Sequence, residues 1–325
     1  MTASHPLIYP CRLPCRIFIV LLLLVVLLVR ASHAQERSVP QFPPGEGKIR
    51  VIIDADAANE IDDQWAIALA LLSPERFKIE GFVAAHYGDK GGGQGIEKSL
   101  VEINAVLKKA GMAGRFPVLR GSHPLIYGRV SQPSEGVNFI IERAMDQRET
   151  EPLWIIALGP ATDLVSAYLK EPRIKNRVVA FWHGRTQWPT KAWNFNAYND
   201  LRAVQTLFSS ELPFVLFDTG TNLTIPMDEG KQRIHSHGPL GQYLHDIRLR
   251  EKAWQSSNKG VFDLGDIAAL VDPSLAKFEV VDVPRVGHDM LYDHKNTHGK
   301  MIRIHSIDRA GTFDLLERKL KEVVK

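Results

Sequence analysis

From Lys48 onward, short β-branched runs alternate with segments whose apolar residues recur at helical spacing. Lys48 to Ile53 predicts a strand, and Ile61 to Leu72 predicts a helix with Asp62 and Asp63 at its start, where carboxylates complement the helix dipole. The pattern continues with strands at Ile79 to Ala85, Phe116 to Leu119, Leu153 to Leu158, Val178 to Trp182 and Phe214 to Phe217. Helices are expected at Ile96 to Lys109, around Glu135 to Met145, from Ala161 and from Leu201. Strands that alternate with helices predict an α/β fold, an open, mostly parallel sheet with helices on both faces. In such sheets ligands bind beyond the carboxyl ends of the strands, so chemistry is to be sought in the loops that follow them.

The 325 residues are 45% hydrophobic and 24% charged, enough to bury a core. Residues 1–34 read as a signal peptide: Arg12 and Arg16, an apolar run from Ile17 to Val29, then Ser32-His33-Ala34 before a cut at Gln35. The apolar run is shorter than the ~20 residues that span a bilayer as a helix, and membrane attachment is expected only if this leader stays uncleaved. Residues 35–47, rich in Pro and Gly, read as a linker, and 48–325 as one domain. Export makes the protein secreted or periplasmic. Cys11 and Cys15 both fall in the leader, so the mature chain is expected to carry no disulfide, thiolate nucleophile or cysteine-bound zinc. The leader also holds three arginines and no acid, and without it basic and acidic residues balance. That balance argues against a nucleic-acid binder, which needs a basic face.

Directly after the first strand, Asp54, Asp56, Glu60, Asp62 and Asp63 crowd five acids into ten positions. Carboxylates at such density repel one another unless a cation or hydrogen-bond donors offset them. Taken singly, Asp54 or Asp62 reads as a turn or capping acid facing water; taken together, at a strand end, the group reads as a metal site. Oxygen ligands suit Ca²⁺ or Mg²⁺, and the spacing lacks the pattern of an EF-hand. More oxygen must come from elsewhere. Asp263 and Asp266, at the start of the apolar run Ile267 to Val271, repeat the design of an acid at a helix start. Asp263 is a plausible further ligand, whereas Asp266 reads as a first-turn acid.

In order along the chain, Asp54-x-Asp56…Ile61-Asp62-Asp63, Pro117-Val-Leu-Arg-Gly121 with Pro124-Leu125, Ala157-Leu-Gly-Pro-Ala-Thr162-Asp163, Trp193-Asn-Phe-Asn196 with Tyr198, and Phe262-Asp263 with Asp272-Pro273 resemble the motifs of the inosine/uridine-preferring nucleoside hydrolase family. The likeness spans about Lys48 to Phe313. It implies a nucleoside hydrolase-like fold and calcium-dependent hydrolysis of the N-glycosidic bond of a ribonucleoside or related riboside by a metal-activated water. By this resemblance Asp56, Asp63, Asp263 and the Leu158 carbonyl hold one Ca²⁺, Asp56 takes the proton of the water, and Asp62, Asn194 and Asn196 bind the sugar. The partner implied is a small-molecule nucleoside or riboside, not nucleic acid, with a homo-oligomer possible.

The departures fall on the substrate side. Phe262 stands where the family carries its acid–base histidine, Asn194 where it carries a glutamate, and Trp188 near a family asparagine. They imply a divergent member. His86 and His183 follow strands and are candidate acids, though each also reads as a hydrogen-bonded loop residue. Trp182, Trp188 and Trp193 could stack on a base or pack the core. Two other classes remain: an exported calcium-dependent nucleoside or sugar binder without catalysis, which Phe262 favours, and a haloacid-dehalogenase-like phosphatase. The latter fits poorly, because Ala57 and Ala58 break its DxDx(T/V) loop.

Overall fold

A computed structural model describes residues 37–255 and 258–323. The leader and its cysteines lie outside the described residues. The sheet has eight strands in the order β3-β2-β1-β4-β5-β6-β10-β9. Their ranges are β1 Ile49–Ala55, β2 Phe77–Ala84, β3 Val118–Arg120, β4 Leu153–Ala157, β5 Val178–His183, β6 Phe214–Phe217, β9 Ala276–Val286 and β10 Tyr292–Ile307, with β7 Thr224–Pro226 and β8 Asn258–Gly260 forming a separate antiparallel pair. Every pairing in the large sheet is parallel except β9 with β10. The open, mostly parallel architecture expected from the chain order is the one observed.

The α-helices are α1 Asp62–Leu71, α2 Gly95–Lys109, α3 Glu135–Ala144, α4 Thr162–Lys170, α5 Phe195–Asn199, α6 Leu201–Ser209, α7 Gly238–Asp246, α8 Leu264–Val271 and α9 Arg309–Val323; a short helical turn at Met227–Gly230 runs into a π-helical one at Lys231–His235, and the remaining helical segments are short 3₁₀ turns. They form two layers because side chains alternate across a strand. Val51, Ile53 and Ala55 of β1 join a core built with α1, α2, α7, α8 and α9. Ile52 joins the opposite core, with α3, α4, α5 and α6. Helix α1 has no wet face: all ten of its residues, Asp62, Asp63 and Gln64 included, are buried. Its two acids are therefore carried into the interior rather than toward solvent.

Several boundaries differ from expectation. The third strand starts after Pro117, not at Phe116, because proline has no N–H to give the ladder; only its carbonyl is used, accepting from the Phe82 amide at 2.9 Å. The long β9–β10 ribbon and the β7–β8 pair were not anticipated. The part of the expected linker that is described, residues 37–47, has no helix or strand yet is anchored. The Arg37 guanidinium is buried and donates to the carbonyls of Leu207, Phe208 and Ser210 at 2.6–3.1 Å, and Phe42 packs edge-on against Phe278. Among the described residues, no helix is long and apolar enough to cross a membrane.

β1 lies between β2, which the chain reaches first, and β4, so the order of connection reverses at the β1–β4 boundary. A crevice opens at such a switch point, beyond the carboxyl ends of the two strands. Asp54 is paired with Ala157 there, and the Leu158 amide donates to the Asp54 carbonyl at 2.8 Å.

Candidate active site

One pocket at this switch point is lined by Asp56, Asp62 and Asp63 from the loop after β1 and the start of α1, Leu158 after β4, His183 and Arg185 at the end of β5, Asn194, Phe195 and Asn196 at α5, and Phe262 and Asp263 before α8. Residues some two hundred positions apart thus share one floor. Carboxylate oxygens of Asp62, Asp63 and Asp263 lie within 4.8 Å of one another, as do ligand atoms of His183, Asp263 and Asp266. Asp263 occupies the N-cap position of α8 and Asp62 and Asp63 the first turn of α1, yet neither helix receives a capping bond from the side chain at its N-cap. The helix ends turn these acids into the crevice. Close approach at β4 depends on Gly159, where a Cβ would meet an Asp56 carboxylate oxygen at 2.8 Å.

Buried oxygens normally find a donor. Here Asp56 Oδ2, Asp63 Oδ1 and Asp266 Oδ1 have none among the described residues. Burial, then the neighbouring acids, raises the carboxyls: Asp56 is pushed to about 7, and Asp63 and Asp263 well above the usual carboxylate range. Asp266 rises only to about 6, because the His183 ring opposes the effect of burial. A set of crowded, unpartnered, hard oxygens is the donor set an alkaline-earth cation takes, so the residues fit a Ca²⁺-type ion. Beneath the floor Asp54 is wholly buried with neither oxygen partnered, and burial followed by the nearby Asp163 and Asp56 carboxyls raises it strongly. The expectation that Asp54 alone is a solvent-facing turn acid is corrected: as an inward residue of a strand buried on both faces it has no route to water.

The substrate-side residues have prior commitments. Asn194 caps α5, its Oδ1 accepting from the Ala197 amide at 2.9 Å while its Nδ2 donates to the Ala192 carbonyl. Asn196 Nδ2 donates to the Leu158 carbonyl at 2.8 Å and the His183 carbonyl at 3.2 Å, so it orients the same carbonyl proposed as a ligand. His183 Nδ1 contacts Asp266 at 2.7 Å and Asp263 at 3.2 Å. His86 lies outside the pocket lining, with Nε2 on the Thr162 hydroxyl at 2.8 Å and Nδ1 accepting from the Gly88 amide, and burial holds its pKa down at about 4. None of the three tryptophans lines the pocket. Trp182 is buried and donates to the Gly159 carbonyl, Trp188 packs on Tyr292 and His294, and Trp193 is half exposed. The aromatic walls are Phe195 and Phe262.

Lys90, which also lines the pocket, and Arg185 were not singled out from the sequence, and Asp266 was read only as a first-turn acid. Asp266 lies one turn after Asp263, a spacing that puts both on one helix face, which was a usable signal. Nothing local marks Lys90 or Arg185.

The pattern that defines the inosine-uridine preferring nucleoside hydrolases matches residues 51–318. The chain belongs to this family. Membership makes it a glycosyl hydrolase of the nucleoside hydrolase type, and the family's chemistry is hydrolysis of ribonucleosides. Solved nucleoside hydrolases share its fold. A plant nucleoside hydrolase (PpNRh1) is 20% identical with a TM-score of 0.67, covering 84% of this chain and 99% of its own. A purine-preferring ribonucleoside hydrolase from Gardnerella vaginalis is 21% identical with a TM-score of 0.67, over 85% and 99%. An inosine-uridine preferring enzyme from Bacillus anthracis is 15% identical with a TM-score of 0.61, over 84% and 99%. At these identities the likeness to the solved nucleoside hydrolases is one of fold. No curated protein matches the chain in sequence.

Proposed function

We propose that this nucleoside hydrolase is an exported, calcium-dependent enzyme that cleaves a ribonucleoside or related riboside, with Asp56, Asp63, Asp263 and the Leu158 carbonyl as the protein's ligands to the ion. The observation that carries the reading is the meeting of Asp56, Asp63 and Asp263, from opposite ends of the domain, in one cleft, with an oxygen of Asp56 and one of Asp63 left unpartnered among the described residues. When bound, the ion supplies positive charge that offsets the crowded carboxylates and polarises oxygens beside it.

The remaining chemistry belongs to the chain. Asp56 accepts the proton of the attacking water, a task that requires a carboxylate held within reach of the anomeric carbon. Asp62, beside Asp63 and Asp263 on the floor, accepts hydrogen bonds from sugar hydroxyls. Asn194 retains one amide hydrogen beyond its capping role, and Asn196 Oδ1 has no partner among the described residues, so each keeps one atom for the sugar. The ring of acids around the floor favours the positive charge that develops on the sugar as the bond breaks.

Phe262 lines the pocket and cannot donate a proton, which keeps a second reading open, that of a riboside binder without turnover. Hydrolysis of 4-nitrophenyl riboside, whose leaving group needs no proton, separates the two. The enzyme reading expects calcium-dependent release of nitrophenolate. Saturable riboside binding without release contradicts it.

A further inference from the structure

We infer that Arg185 receives the departing half of the substrate, and that this site acts on glycosides whose aglycone leaves as an anion. The inference rests on the hydrolytic reading above and specifies its substrate class.

Arg185 is one of two non-glycine residues among those described with positive φ, at 43°. Such a conformation is disfavoured for an L-residue and persists only where the surroundings impose it. Here the amides of Gly184 and Arg185 both donate to the Phe217 carbonyl, at 2.9 and 3.0 Å, which turns the chain sharply after β5. The turn delivers the guanidinium to the pocket, with its central carbon 3.8 Å from the centroid of the Phe262 ring. Face-on stacking of this kind holds a guanidinium in place while leaving its edge donors free.

Those donors have no hydrogen-bond or ion-pair partner among the described residues, although Asp56, Glu60, Asp62 and Asp263 line the same pocket. The other cation there is committed: Lys90 Nζ donates to Asn59 Oδ1 at 2.7 Å and lies 3.6 Å from Glu60. The pocket therefore has two sides. The acid floor suits a cation and sugar hydroxyls, and the wall of Phe262 and Arg185 presents a flat apolar ring overlaid by an unpaired positive charge.

Breaking the glycosidic bond sends its electron pair to the aglycone, which must be protonated or stabilised as an anion. The imidazole that lines the pocket, His183, is tied through Nδ1 to Asp266 and Asp263 on the floor. A guanidinium keeps its protons but forms strong paired hydrogen bonds to an oxyanion. The step balances in this way: the bond from the anomeric carbon to the aglycone breaks, and the aglycone leaves with the pair as an anion against Arg185. Water adds to the anomeric carbon and gives its proton to Asp56, which passes it to solvent. The aglycones that fit are planar and acidic, such as phenols and heterocycles with a carbonyl beside the departing atom.

The test compares the wild type with Arg185→Gln and Arg185→Gly on a series of phenyl ribosides of graded leaving-group acidity. Glycine relieves the positive φ, so a loss shared by both variants belongs to the side chain. We expect kcat/KM to fall about 100-fold on the least acidic phenols, the scale seen when one transition-state anion donor is removed, and much less on nitrophenol. The dependence on leaving-group acidity steepens, and inhibition by free nitrophenolate weakens. Lines that stay parallel to the wild type, whether unchanged or uniformly lowered, overturn the inference while leaving the hydrolytic reading intact. A wild type that turns over none of the ribosides overturns the hydrolytic reading and this inference with it.

Discussion

Asp56→Asn is expected to lower riboside turnover by about 10³-fold, the scale of a lost general base, without loss of the fold. The amide keeps the shape of the carboxylate but neither accepts a proton nor carries charge. Asp56 also sits among buried acids that raise one another's pKa, with its own pushed to about 7 by burial and then by Asp62. Neutralising it removes repulsion, so in chelator the variant melts at or above the wild-type temperature. Steady-state kinetics and thermal melting on the same preparation check both halves. Turnover within a few-fold of wild type contradicts the assignment of the base, and collapse of the fold contradicts the electrostatic account.

The second large effect is on stability when the ion is removed. Asp56 and Asp266 are raised from 3.8 to about 7 and about 6, and Asp63 and Asp263 are also raised well above the usual carboxylate range, in each case chiefly by burial. A carboxyl raised in the folded state binds its proton more tightly there than in the unfolded chain. Its stabilising contribution is fully present below the unfolded value and is lost as pH rises through the folded one. In chelator, the melting temperature should therefore fall between pH 5 and pH 8, by roughly 5 °C or more at the usual conversion for a domain of this size. Saturating Ca²⁺ should restore it at pH 8 and do little at pH 5, where protons already neutralise the site. A melting temperature that is flat or rising over this range in chelator, and unmoved by Ca²⁺, contradicts the crowding of these acids.

Much of this was legible along the chain because local rules and tertiary structure agree. The β-branched run of β1, its acidic loop and the apolar helix behind it fall where the pattern of residues puts them, and acids at the starts of α1 and α8 marked both halves of the floor. What was hidden depends on contacts between distant segments. Asp54 is an inward strand residue whose isolation shows only once the domain has folded around it. Asp266 gains meaning from His183, and Arg185 from Phe262, partners brought together by the sheet and by α8. The β9–β10 ribbon was missed although Lys277-Phe278-Glu279-Val280 alternates polar and apolar residues as a strand does; all four are exposed on this edge strand, so no buried face reinforces the pattern. The tail of residues 37–47 reads as linker by composition, and only the buried Arg37 shows that it is fastened to the domain.

Calcium titration by calorimetry of chelated wild type beside Asp63→Ala and Asp263→Ala tests the meeting of the two ends most directly. The account predicts one saturable ion per wild-type chain, with affinity reduced at least about 100-fold in each variant, since removing a charged ligand from a site of few carboxylates forfeits much of its attraction. Equal, wild-type-like titrations in all three proteins, or no saturable binding in the wild type, would contradict it.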